Sequence, residues 1–571
     1  MKRKVSIGYQ QFDELINNRF FYIDKTYFIR EWWGSGDKVT LIARPRRFGK
    51  TLTMSMTEQF FSVEYAGRED LFDGLQIWNT EEYRKLQGTY PVIALSFSDI
   101  KETTYEQARK KIGESIIDLY SKFYYLGESD SLNEMDKKYF HSVSSDMMEY
   151  ELSIAIRRLS GYLYKYYGKK VIILLDEYDT PVQEAYINGY WEKLTSFTRN
   201  LFNTTFKSNP YLERAILTGI TRISKESIFS DLNNLKVVTV VSEEYADCFG
   251  FTQEEVDRAL EEYGLSDKKQ IVKYWYDGFS FGNETEIYNP WSITNFLDKG
   301  KVGPYWTNTS SNYLAGKLLQ QGTKQVKESF ESLLSGKSIR TEIDEQIVYN
   351  QLDLKESAIW SLFVASGYLK IKNACRNESE MEWCQTYDLE ITNYEVMLMF
   401  QNLVHEWFAP SESNYNEFIK AMLQDDIRSM NVYINKVAQN IFSYFDSGTK
   451  PSSETEPERF YHGFVLGLMV ELDHRYSITS NRESGLGRYD VMLEPKEVFD
   501  PAFIIEFKVL DPENESSLER TAENALRQID EKKYASILIS KGIPEKHIHK
   551  YGFAFCGKTV LIHTQSGGQE Q

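Results

Sequence analysis

Val39-Thr40-Leu41-Ile42-Ala43 runs directly into Arg44-Pro45-Arg46-Arg47-Phe48-Gly49-Lys50-Thr51. The first five residues read as a fully buried strand, and the stretch from about 50 to 62 reads as a helix. Set against G-x-x-x-x-G-K-[ST], the last three positions are filled by Gly49, Lys50 and Thr51, while Arg44 stands where the first glycine belongs. In such a loop, backbone N–H groups wrap phosphate oxygens, the lysine reaches the β and γ phosphates, and the hydroxyl ligates Mg²⁺. The helix N-terminus adds its positive dipole end. Arg46, Arg47 and Phe48 complete the candidate nucleotide loop, with the two arginines as further phosphate contacts. The strand before it and the helix after it give the Gly-Lys-Thr tripeptide its weight.

A nucleotide site of this kind also needs an acid at the end of a buried strand. Val171-Ile172-Ile173-Leu174-Leu175 leads into Asp176-Glu177-Tyr178-Asp179. Asp176 is expected to hold Mg²⁺, and Glu177 to polarise the attacking water. Asp179 is a secondary candidate for the same work. After a third apolar run, 215–220, Thr218 or Thr221 is placed to sense a γ-phosphate and Arg222 to act as an arginine finger. A turn with a solvated arginine fits Arg222 equally well.

Working outward, the runs 39–43, 92–97, 171–175 and 215–220 alternate with amphipathic stretches at 104–124, 149–167 and 190–207. That is βαβ order and predicts a parallel sheet covered by helices. Past residue 250 the pattern turns helical, beginning with 251–264, where Thr252 and Glu255 form a capping box. The region 310–445 reads as helices throughout, with one short strand pair near 367–388. Asp446 to Pro457 holds Gly, two Pro and several Ser/Thr and reads as a linker. Beyond it the pattern gives a helix (457–471), strands at 474–479, 488–494 and 502–508, a helix (517–531), and strands at 534–540 and 552–562. The tail from Ser566 is expected to fray. The expected domains are 1–245, a helical lid at 246–310, a spacer at 311–445, the linker at 446–457 and a small α/β domain at 458–565.

Composition narrows the class. The chain has 571 residues, enough for three or four domains at roughly 150 residues each. With 39 Tyr and 34 Phe it has too much buriable surface for disorder. Four cysteines (Cys248, Cys375, Cys384, Cys556), none in a CxxC pair, exclude a disulfide framework or a zinc ribbon and fit reduced thiols. The N-terminus has basic residues but no apolar core of a secretory signal. The longest apolar runs are strand-length, so a cytoplasmic protein without a membrane span is expected. The formal net charge of −18 argues against a nucleic-acid coat protein and requires any nucleic-acid contact to use a local basic cleft.

The matching stretches FYIDKTYFI (21–29), RPRRFGKTLTMSM (44–56), VIILLDEYDTPV (171–182), LTGITRISKESIFSDLNN (217–234), WYDGFSFG (275–282) and IYNPWSI (287–293) resemble the AAA-ATPase-like family of P-loop NTPases. The resemblance spans most of residues 6–310. It implies a RecA/AAA-type sheet with a helical lid and makes Arg44 a trait of the family's own loop, R-P-R-R-F-G-K-T. WYDGFSFG also fits an aromatic-rich turn that packs the lid onto the core.

In the C-terminal domain, Asp490 lies within a strand, and Glu506-Phe507-Lys508 follows the apolar run 503–505. Alternate strand residues share a face, so Glu506 and Lys508 are expected to point the same way with Asp490 beside them from a neighbouring strand. Two carboxylates and the Phe507 carbonyl make a hard oxygen site for Mg²⁺, or Mn²⁺, and Lys508 is placed to orient a water. Gln528 and Tyr534 frame a junction nearby, and Glu458 and His462 lie one helical turn apart. The stretch from about 455 to 565 resembles the PD-(D/E)XK nuclease superfamily, which has a restriction-endonuclease-like fold. The cations expected along a nucleic-acid path are Arg482, Arg488, Lys508, Arg527, Lys532 and Lys533. The resulting expectation is an ATP-dependent, Mg²⁺-dependent nuclease acting on DNA in preference to RNA, in defence or mobile-element biology. A signalling or scaffold ATPase with a nuclease-like domain that only binds is the alternative. A homo-oligomer is left open.

Overall fold

The computed structural model describes residues 2–221, 229, 232–309, 312–345, 352, 355–379, 382–408, 412–441, 472, 475–484, 487–497, 500–511, 515–556 and 559–564. Arg222, Glu458, His462, the 446–457 linker, the 457–471 helix and the tail lie outside them, as do the side chains of Arg482 and Arg488. The chain forms two compact units, Met1–Gln321 with Ser335–Leu398, and Gly322–Leu334 with Met399–Gln571. Among the described residues no helix is long and apolar enough to cross a membrane.

The first unit is built on five parallel strands: β1 (Val39–Ala43), β2 (Val92–Ser96), β3 (Val171–Asp176), β4 (Leu212–Gly219) and β5 (Leu235–Val238), in the order β2-β3-β4-β1-β5. β1 and β3 are buried along their whole length, which is why they read as continuous apolar runs. The flanking helices Lys50–Phe61, Tyr105–Lys122, Glu149–Tyr167 and Trp191–Phe202 fall where the periodicity puts them, the last continued by a π turn over Asn203–Lys207. β5 has no counterpart among the expected strands. It is short and only half-buried, so it shows neither the long apolar run nor strict alternation.

The lid region begins with the helix Gln253–Tyr263, whose Thr252–Glu255 capping box is formed. A hairpin follows, β6 (Phe279–Phe281) and β7 (Glu284–Ile287), and then the helix Pro290–Lys299. The rings of Phe279 and Phe281 meet Phe48 edge-on at 4.8 and 5.4 Å, so the WYDGFSFG segment packs onto the phosphate loop itself. The middle region departs from expectation. In place of one short strand pair it holds an antiparallel sheet of β8 (Ile339–Glu342), β9 (Leu369–Ser379) and β10 (Glu382–Ile391), in the order β8-β10-β9. These strands carry many charges, such as the Arg340–Asp388 and Lys372–Glu390 pairs across the sheet, and so lack the apolar signal of a buried strand.

In the second unit, β11 (Tyr476–Ser484), β12 (Gly487–Pro495), β13 (Ala502–Val509), β14 (Ile548–Cys556) and β15 (Thr559–Thr564) form a mixed sheet in chain order, with only β13 and β14 parallel. The helix Leu518–Glu531 makes the crossover between them. Alternation along β13 divides the core: Phe503, Ile505 and Phe507 join Tyr551, Phe553 and helical residues such as Phe418, Met422, Met430 and Ile434. Ala502 and Ile504 face Leu526 and Ile529 of the crossover helix. Thus the helices Glu412–Leu423 and Ile427–Ile441 cover one face of the sheet. Two expectations are corrected. Residues 536–540 form a short helix, Ser536–Ser540, because its three-residue apolar run carries no period that distinguishes helix from strand. The final expected strand is a hairpin, β14–β15.

Arg44 is fully buried at the end of β1. Its guanidinium donates to the carbonyls of Ala43 (3.1 Å), Thr239 (2.6 Å), Glu244 (3.2 Å) and Tyr245 (3.4 Å) and lies 4.6 Å from the Phe281 ring centroid. Burial pushes it down to about 10, still a cation at neutral pH. It ties the loop strand to the segment after β5. Removing it leaves buried carbonyls without donors, so Arg44→Ala is expected to lower unfolding free energy by roughly 3 kcal/mol or more. Chemical denaturation of the purified protein measures the loss.

Candidate functional site

Open parallel sheets bind ligands beyond the carboxyl ends of their strands. The described candidate nucleotide residues of the first unit lie at that edge. Gly49 sits at φ +86°, a left-handed conformation that frees the loop to turn into the helix Lys50–Phe61. Arg47 (φ +64°) and Glu177 (φ +50°) also lie in the left-handed region, where residues with a side chain are uncommon and cluster at functional sites.

Lys50 is buried, and its Nζ donates to the carbonyls of Arg44 (2.9 Å) and Pro45 (2.8 Å). Burial pushes the ammonium down from its ordinary range, and the carboxylates of Glu177, Asp176 and Asp179 oppose that shift. Thr51 Oγ1 donates to Asp176 Oδ2 at 2.6 Å, joining the helix that follows β1 to the end of β3. β4 lies between these strands, and its Thr218 hydroxyl donates to the other oxygen, Asp176 Oδ1. Thr218, expected to sense phosphate, is thus engaged with Asp176, the acid expected to hold Mg²⁺. Glu177 is half-buried and accepts from Thr180 Oγ1 at 3.2 Å. An oxygen pair such as Thr51 and Asp176 is the hard donor set that suits Mg²⁺.

Asp179, the secondary candidate, is tied to the turn after β4. It is buried, and its Oδ2 accepts from the backbone N–H groups of Ile220 and Thr221, both at 2.9 Å, and from Thr221 Oγ1 at 3.1 Å. Burial raises its carboxyl, and these donors hold it back. Through this one oxygen it braces the turn after β4 against the turn after β3. Arg47 is likewise engaged: its guanidinium lies 4.3 Å from the Trp291 ring centroid at the start of the lid helix. Arg46 lines a cavity of about 50 Å³ with Gln183, Thr221, Trp306 and Tyr368. Gln183, Trp306 and Tyr368 were not legible as site residues, since no motif marks them.

In the second unit, the candidate acids meet where β12 and β13 part. The ladder pairs Val491 with Ile505, and beyond it Asp490 Oδ2 accepts from the Phe507 backbone N–H at 2.8 Å. Glu506 is 2% exposed and stands on the face of β13 that meets the crossover helix, where Gln528 Nε2 donates to its Oε1. Gln528 also lies 3.4 Å from the Tyr534 hydroxyl, so the junction noted in the sequence closes over Glu506. The helix approaches this closely because the residue paired with Glu506 on β14 is Gly552, where a Cβ would sit 2.3 Å from the Ala522 carbonyl. Lys508 shares the parity of Glu506, is half-buried, and helps hold the Glu515 carboxylate in its charged form. Glu515, absent from the sequence reading, receives the Thr521 hydroxyl and the Asn524 amide at the start of the crossover helix. Of the expected cationic path, Arg527, Lys532 and Lys533 are exposed at the far end of that helix. Asp490 and Glu506 are the oxygen donors here that fit a divalent ion.

Over 97% of its length the chain is 25% identical to a protein of Azotobacter chroococcum mcd 1, of which it covers 96% and which is described as an uncharacterized protein in the vnfD 5' region. Residues 6–229 match the family described as predicted AAA-ATPase, and residues 456–565 match the PD-(D/E)XK nuclease superfamily. The chain thus joins an N-terminal AAA-ATPase-like domain to a C-terminal domain of the PD-(D/E)XK nuclease superfamily.

Proposed function

We propose that the chain hydrolyses ATP in its first unit and cleaves nucleic-acid phosphodiester bonds in its second. The observation that carries the first half is the Thr51–Asp176 contact beside the buried ammonium of Lys50, at the carboxyl edge of a parallel sheet. Thr51 and Asp176 would hold Mg²⁺, which would neutralise phosphate charge. Lys50 exchanges its loop carbonyls for phosphate oxygens and keeps its cation paired throughout. Backbone N–H groups from Arg46 to Lys50 and the Arg46 guanidinium supply further donors. Glu177, half-exposed beside the buried Asp176, orients the attacking water.

The second half rests on Asp490 and Glu506 converging from adjacent strands. They would hold Mg²⁺ or Mn²⁺, which lowers the pKa of a bound water. The Gln528 amide keeps Glu506 oriented, and Lys508 supplies positive charge for the water and the scissile phosphate. DNA is the preferred substrate in this reading.

Lys50→Ala is expected to weaken binding of labelled ATP at least tenfold, about 1.4 kcal/mol. Unchanged affinity would reject the nucleotide assignment. Glu177→Gln is expected to keep ATP binding and lose turnover by about 100-fold, because only the water-orienting group changes. Single-turnover hydrolysis measures that split.

For the second unit, Asp490→Ala or Glu506→Ala is expected to abolish cleavage of plasmid DNA and to lower Mn²⁺ affinity by calorimetry. Lys508→Ala should retain the metal and lose cleavage. A Glu506→Ala protein that still cuts would overturn the assignment.

A further inference from the structure

The phosphate loop is held from outside by residues beyond the part that matches the ATPase family. The Arg46 carbonyl accepts from the indole N–H of Trp306 at 3.0 Å and from Asn289 Nδ2 at 3.4 Å. In a trans peptide the carbonyl and the following N–H point in opposite directions. A carbonyl drawn out toward Trp306 and Asn289 therefore turns the Arg47 N–H away from them, and Arg47 takes the left-handed backbone that this turn requires. The same clasp fixes where the Arg46 side chain leaves the loop, into the cavity shared with Gln183 and Thr221.

Trp306 is itself held. Glu395, 1% exposed, receives the backbone N–H of Trp306 on Oε1 at 2.6 Å and that of Thr307 on the same oxygen at 3.2 Å. Its Oε2 receives the Ser292 hydroxyl at 2.8 Å. Asn289 caps the lid helix through the N–H groups of Trp291 and Ser292. A buried carboxylate is costly without donors, and every donor to Glu395 named here belongs to the two lid segments that grip Arg46. Burial raises its carboxyl to about 7, in line with that cost.

We propose that Glu395 is a positioning residue for the nucleotide reaction, acting through Trp306 to set the Arg46–Arg47 peptide and the Arg46 guanidinium against the transferring phosphate. This rests on the reading that the loop binds ATP. Charge developing in the transition state needs donors already aimed at it, so a misplaced peptide costs turnover more than ground-state affinity. Glutamine is the conservative variant: its oxygen can accept both backbone N–H groups and its amide can donate to Ser292.

The test uses the full-length protein with MgATP and measures kcat, KM and the affinity for labelled ATP. Glu395→Ala is expected to lower kcat at least tenfold with ATP affinity within threefold of wild type. Glu395→Gln should retain kcat within threefold. Trp306→Phe keeps the packing of a ring and deletes the indole N–H, and should lower kcat about fivefold with affinity kept. A wild-type kcat in Glu395→Ala, equal damage in the Gln and Ala variants, or parallel loss of affinity and turnover would each overturn the proposal. If Glu395→Ala does not fold, an unchanged kcat in Trp306→Phe overturns it by itself. A wild-type protein that neither binds nor hydrolyses ATP rejects the nucleotide reading instead, before any substitution is made.

Discussion

Four cations stand within seven residues of the phosphate loop: Arg44, Arg46, Arg47 and Lys50. Like charges at that spacing repel, and two of the four are buried, so the first requirement on this structure is to pair them. Each is paired differently. Arg44 spends its donors on carbonyls after β5, Lys50 on carbonyls of the loop, and Arg47 on the face of Trp291. Arg46 alone opens into the cavity, where Gln183 is its polar neighbour. The arrangement separates two cations engaged outside the loop, Arg44 and Arg47, from two whose partners are the loop's own carbonyls and a cavity neighbour, Lys50 and Arg46.

That sorting explains what was legible in the sequence. The strand, the turn and Gly49-Lys50-Thr51 are local features, and local periodicity and turn chemistry report them well. Asp176 and Glu177 are legible for the same reason, at the end of a continuous apolar run. Arg44 was visible only as a departure from a pattern, because its partners lie some 195 to 201 positions away. Asp179 looked like a third acid of the site, and only its three donors from the turn after β4 show it to be a brace. In the second unit, Glu506 and Lys508 were readable from strand parity. The orientation of Glu506 by Gln528 needs a helix that packs closely over Gly552, a fact of tertiary distance that no spacing records.

The middle region shows the opposite case, in which sequence pattern gave little and packing gives much. Its sheet strands are charged and its helices carry no motif. Yet Tyr368 and Phe363 line the cavity at Arg46 beside Trp306 of the lid, and Glu395 binds the turn that holds the loop. A segment read as a spacer therefore forms one wall of the cavity beside the phosphate loop. Its apolar residues had to be buried somewhere, and the open side of the phosphate loop is where the fold buries them.

Net charge poses the remaining question, since −18 sits poorly with a nucleic-acid substrate. The resolution lies in range. At physiological salt an exposed charge is screened beyond about 8 Å, so a phosphate at the second site responds to groups within a few side-chain lengths and little to the rest of the chain. Lys508, two residues from Glu506 on the same strand, is such a near group. Asp490 and Glu506, the acids at the centre, are the ones a divalent cation would neutralise. Acidic surface elsewhere then slows non-specific association more than it weakens a seated substrate, because long-range steering and short-range contact draw on different charges.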